Sequence, residues 1–144
     1  MKHNDVKYTV ILGPGNHQQK LVDAFKSCGF SFEVFNYYPF FKRTVFDADG
    51  NEIYSKENRI FSKLSQMLWA TIVRIDFLKK KNYHTYFNYK LYDLWISNNF
   101  SKSSTQLWAW SQVSLRTMKA FSRKGATIIL EKPMIHVEDR KSVV

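Results

Sequence analysis

Between Gln106 and His136 the chain runs through an apolar stretch, a helical stripe and a second apolar stretch, an order that few folds accommodate. Leu107–Trp110 has the length of a buried strand. Ser111 is a good N-cap, because its hydroxyl can accept from a free amide of the first helical turn. Val113, Leu115, Met118 and Phe121 follow at helical spacing. Arg116, Lys119, Arg123 and Lys124 fall mostly off that stripe, and the last three suit the negative end of a helix. Gly125 can close the helix in the left-handed conformation. Ala126–Leu130, with β-branched Ile128 and Ile129, reads as a covered strand. Parallel strands need a crossover of this kind, and it is nearly always right-handed. The unit predicts a parallel α/β sheet.

The N-terminal part repeats the theme. Lys7–Leu12 is a strand-like run ending at Gly13, and Leu21, Val22, Phe25 and Cys28 mark a helix over about Gln18–Cys28, closed by Gly29. Glycines between a strand and a helix put free amides and the positive helix end at the strand's carboxyl edge, which suits an anion. Gly13-Pro14-Gly15 is neither the dinucleotide fingerprint nor a P-loop, so a tight turn explains the glycines equally well. Ser31–Tyr37 reads as a second strand, covered on both faces. Thr44–Tyr54 reads as a hairpin turning at Asp49-Gly50, an excursion from the main sheet. The expected fold is therefore α/β: a Rossmann-like parallel sheet flanked by helices, with a hairpin excursion near residues 44–54.

Glu57 to about Lys80 carries the longest helical pattern, with Phe61, Leu64, Leu68, Ile72 and Ile75 in one stripe. Packing of that stripe on the core is one reading. The other is a helix lying on an anionic membrane surface, given Trp69, Arg59, Lys63, Arg74 and Lys79–Lys81. Tyr83–Trp95 interleaves aromatics with lysine, as a single-strand nucleic-acid platform does, but no nucleic-acid motif of defined spacing accompanies it.

With 144 residues, one domain over 1–144 is expected, and 44% hydrophobic and 17% aromatic content excludes a disordered chain. The net charge of +10 calls for a polyanionic neighbour: nucleic acid, an anionic membrane or a phosphorylated substrate. One cysteine, Cys28, suits a reducing cytosol. The N-terminus lacks the apolar core of a secretory signal, and Met67–Val73 is far shorter than the ~20 apolar residues a membrane span needs. The expected location is cytoplasmic, or peripheral on the cytoplasmic membrane face. Four scattered histidines and one cysteine form no metal-ligand spacing, so no metal or other cofactor is expected. In open α/β sheets, ligands bind beyond the carboxyl ends of the strands. Those ends carry Gly13–His17, Ser111 and Glu131–His136. His17 and His136 are candidates for a general base or a phosphate contact. Glu131 can take a hydroxyl proton or orient a sugar, and Lys132 can face a phosphate.

An aromatic strand ending in Trp110-Ser111, then Ser114-Leu115-Arg116, Lys124-Gly125-Ala126, Ile129-Leu130-Glu131 and His136, resembles the N-terminal domain of family 4 glycosyltransferases. These are retaining sugar transferases of the GT-B fold. The resemblance spans most of the chain. It implies transfer of a sugar from a nucleotide-sugar donor to a glycan or lipid-linked acceptor, as in cell-envelope glycan synthesis. By the same resemblance, Gly13, Gly15 and Asn16 meet donor phosphates, while His17, Ser111 and Lys132 face the acceptor. His136 and Glu131 are the catalytic candidates, although Glu131-Lys-Pro-Met-Ile-His136 departs from the family's commoner Thr-x-His-Asp form. The family carries most donor contacts on a second Rossmann-like domain that these 144 residues do not include, so the expectation is an N-terminal half, inactive alone. A basic, non-catalytic module for nucleic acid or a membrane surface is the rival.

Overall fold

A computed structural model describes residues 6–13, 19–37, 41–75, 83–110 and 114–131. The apolar runs become strands and the helical stripes become helices. In chain order they are β1 (Tyr8–Ile11), α1 (Gln19–Lys26), β2 (Phe32–Asn36), β3 (Lys42–Phe46), β4 (Glu52–Glu57) and α2 (Arg59–Val73). Then follow α3 (Tyr83–Asn99), β5 (Gln106–Trp110), α4 (Leu115–Arg123) and β6 (Thr127–Glu131).

The six strands form one sheet in the order β4-β3-β2-β1-β5-β6. β1 pairs in parallel with β2 and with β5, and β5 in parallel with β6. The chain thus leaves β1 in one direction through α1 and returns to the other side of β1 through α3. Val22 and Phe25 of α1 cover Val10, Leu12, Phe32 and Val34 on one face. Tyr92, Trp95 and Ile96 of α3 and Phe121 of α4 cover Ile11, Phe35, Leu107 and Ala109 on the other. Helices on both faces bury both sides of the central strands, which is why those strands read as unbroken apolar runs. Gly125 takes φ 74° after α4, as its place past the helix end requires.

Two expectations need correction. The hairpin is not an excursion. β3 pairs antiparallel with β2 from Phe32 opposite Phe46 to Asn36 opposite Lys42, and β4 extends the same sheet, which is therefore mixed. No crossover helix separates β2 from β3, so the chain can only double back. Phe46 then stacks on Phe32 with ring centroids 4.8 Å apart. Asp49-Gly50 does form the turn, with Gly50 at φ 83° and the Asp47 carboxylate accepting from the Asn51 amide at 2.8 Å.

The second correction concerns α2. Of its proposed core stripe only Ile72 is buried and Phe61 half-buried. Leu64, Leu68 and Ile75 are exposed, as are Ile60 (74%) and Met67 (66%). Small Ser62 and Ser65 face inward instead. The Phe41 amide donates to Ser62 Oγ at 2.9 Å, and Ser65 Oγ donates to Asn88 Oδ1 of α3 at 2.7 Å. Facing inward, both buried hydroxyls have partners, as burial of a polar group requires.

Candidate functional site

The carboxyl ends of β1, β2, β5 and β6 share one edge of the sheet. The strand order reverses between parallel β1 and β5, the switch point at which doubly wound sheets generally bind ligands. Gly13 follows β1 at that point. A Cβ on Gly13 would lie 2.7 Å from the indole of Trp110, the last residue of β5. Packing against that ring is thus one reason for glycine here. Glu131 ends β6, half-buried, in register with Trp110. Gly13 and Glu131 therefore flank the end of β5 from its two sides. The remaining candidates, Gly15, Asn16, His17, Ser111, Lys132 and His136, lie outside the described residues.

The start of α4 differs from expectation. The helix begins at Leu115, and Ser114 rather than Ser111 holds the N-cap position. Ser114 does not bond the free amides either, and its hydroxyl donates back to the Trp110 carbonyl at 2.7 Å. The cap comes from α3. Asp93 accepts from the Arg116 amide at 2.6 Å, from the Thr117 amide at 3.0 Å and from the Thr117 hydroxyl at 2.7 Å. A carboxylate on the positive end of a helix is favourable, and here it also locks α3 to α4.

Tyr92 fixes α3 over the sheet edge. Its hydroxyl lies 2.6 Å from the Phe35 carbonyl and 2.9 Å from the Leu12 carbonyl, bridging the ends of β2 and β1. Complete burial raises its pKa well above the ordinary tyrosine value, with the neighbouring Tyr37 adding to the effect.

Beside this bridge lies a hollow of about 270 Å³ between α2, α3 and the end of β2. Its walls include the rings of Tyr37 and Trp69 and the polar side chains of Ser62, Ser65, Gln66 and Asn88. Burial raises the Tyr37 pKa and a hydrogen bond with Ser65 partly opposes the rise, so the phenol stays a neutral hydrogen-bonding group near pH 7. Among the described residues the lining carries no formal charge; Ser62, Ser65 and Asn88 are buried and bonded within the protein, so the Tyr37 and Trp69 rings and the exposed Gln66 amide are what a neutral polyhydroxylated ligand can meet. None of these side chains was a sugar-contact candidate from sequence, where Trp69 entered only as part of a membrane-surface helix. Ser62 and Ser65 interrupt an apolar helix, and that interruption was the only local signal of a second, polar face.

Among the described residues no three His, Cys, Asp or Glu side chains gather as a metal site, and no helix is long and apolar enough to cross a membrane. Compared with protein-family models, curated proteins and solved structures, the chain has no significant match in any of the three.

Proposed function

We propose that this chain is the acceptor-side, Rossmann-like lobe of a retaining glycosyltransferase, acting on a nucleotide-sugar donor and a glycan or lipid-linked acceptor. The observation that carries the reading is the hollow of Tyr37, Ser65, Gln66, Trp69 and Asn88 past the end of β2, uncharged among the described residues. It is the kind of surface on which a sugar ring stacks and hydrogen-bonds. It lies past the carboxyl end of β2, on the side of the sheet where open α/β proteins bind ligands. In this reading the loop from Gly13 through Asn16 meets donor phosphates, and His17, Ser111 and Lys132 face the acceptor. Glu131 and His136 are the catalytic candidates. The nucleotide-sugar is substrate. A glycan array tests the reading: the chain should bind a defined set of glycans, and Trp69→Ala should abolish that binding while the fold is kept. A folded chain that binds no glycan contradicts it.

A second reading has its own support. Ile60, Leu64 and Met67 recur at helical spacing on the outer face of α2, beside Arg59, Lys63 and Arg74. α2 contains no acidic residue. An apolar row with a basic flank suits a helix lying in an anionic membrane surface, and a lobe that serves lipid-linked acceptors can use both features together.

A further inference from the structure

A larger hollow, of about 530 Å³, opens on the other side of α3, between it and the start of α4. Two helices supply its walls at matched spacing. Tyr86 and Lys90 lie four apart on α3, and Arg116 and Lys119 three apart on α4, so each pair shares one helix face. Lys90, Arg116 and Lys119 are all exposed, and among the described residues none of them makes an ion pair. Asp93 is the one acid among the described residues of the wall, and its two oxygens are held by the Arg116 and Thr117 amides and the Thr117 hydroxyl. Lys90 Nζ lies 4.6 Å from the Tyr86 ring centroid. Among the described residues three exposed cations thus line one hollow without an ion-pair partner, so an entering anion gains their charge-assisted bonds without breaking a pair. Tyr86, Tyr89, Leu94 and Leu115 line the rest. Leu115 is 61% exposed and Tyr86 48%, so a flat or apolar body can lie on carbon rather than water.

We infer that this hollow binds a phosphate monoester carried on an aromatic or branched apolar body, the phosphate held by Lys90, Arg116 and Lys119. Guanidinium and ammonium groups together match phosphate oxygens by charge-assisted hydrogen bonds. The site lies between α3 and α4, on the other side of α3 from the sugar-like hollow, and it holds whether or not the chain transfers sugar.

The test is an NMR titration of the whole chain with three probes: inorganic phosphate, uridine monophosphate and dimethylallyl phosphate. At least one ester should bind more tightly than inorganic phosphate by roughly tenfold or more, and shift the amides from Ser114 to Lys119. Lys119→Glu and Lys90→Glu should each weaken ester binding roughly tenfold or more. Leu115→Ala should erase the preference for the ester yet leave phosphate binding in place. Preserved exchange protection of the Thr117 amide shows that each variant keeps the helix cap. Equal binding of phosphate and both esters overturns the assignment, as does ester binding that ignores Lys90 and Lys119. Tighter binding of a single-stranded oligonucleotide through the same cations also overturns it, in favour of nucleic acid.

Discussion

The α-carbon of Gly13 rests against the indole of Trp110, so closely that a methyl group there would stand 2.7 Å from the ring. The contact joins the end of β1 to the end of β5 across the point where strand order reverses. Gly13→Ala should cost about 1–3 kcal/mol in urea unfolding, the usual penalty for overpacking. In a Trp110→Leu background the same substitution should cost clearly less, because contacting residues couple. Equal cost in both backgrounds would mean that the ring is not what excludes a side chain.

At the opposite edge, Glu33 is fully buried on β2 and holds three elements together. Arg43 of β3 donates to Glu33 Oε2 through Nε at 2.9 Å and Nη2 at 2.6 Å. The Ser101 amide, just after α3, donates to Oε1 at 2.7 Å, and the Thr9 hydroxyl of β1 also donates to Oε1 at 2.7 Å. Arg43→Ala leaves a buried carboxylate without its cation and should destabilise by about 3–5 kcal/mol. Glu33→Gln together with Arg43→Ala should recover part of that loss, as read from the urea midpoint.

Alkaline pH should unfold the protein through Tyr92. Its folded pKa is raised well above 10.0, chiefly by burial, so the folded state holds the phenolic proton more tightly than the unfolded state. That contribution is complete below the unfolded value of about 10 and is lost as pH rises toward the folded value. Stability should therefore fall steeply above pH ~10. Tyr92→Phe should flatten the fall, while lowering stability at pH 7 by about 1 kcal/mol for the lost hydrogen bond. Denaturant midpoints over that range check both.

The outer face of α2 predicts behaviour at lipid surfaces. Vesicles containing anionic lipid should retain the chain and neutral vesicles should not, with retention falling as salt rises. Met67→Ser and Lys63→Glu should each weaken sedimentation with anionic vesicles, since both side chains are exposed and neither supports the fold. Retention that ignores both substitutions would remove α2 from the surface.

What could be read from sequence was what local pattern controls. The two strand–helix–strand units, the Asp49-Gly50 turn and Gly125 past α4 depend on spacing and on backbone freedom within a few residues. The place of the hairpin did not follow, because Thr44–Tyr54 describes a turn without naming the strand it pairs with. The facing of α2 did not follow either, since the partner of inward-facing Ser65 is Asn88, 23 residues away. Asp93 as the cap of α4 was equally hidden: Ser111 looked sufficient, and only the packing of α3 brings the carboxylate to the Arg116 and Thr117 amides. Both hollows arise at α3 junctions, so their linings are scattered in sequence. Of the strand-end candidates, Gly13 and Glu131 do lie on the common edge, as parallel strands require.

The central claim is that the carboxyl edge of this sheet receives a sugar and its nucleotide donor. The most direct test is a two-dimensional NMR titration of the isotope-labelled chain with methyl α-mannopyranoside, methyl α-glucopyranoside and UDP-glucose at millimolar concentration. A saccharide should shift resonances of Tyr37, Ser65, Gln66, Trp69 and Asn88, and the nucleotide-sugar should in addition shift Gly13 and Glu131. Shifts confined to other parts of the chain, or none with any of the three, would contradict the account.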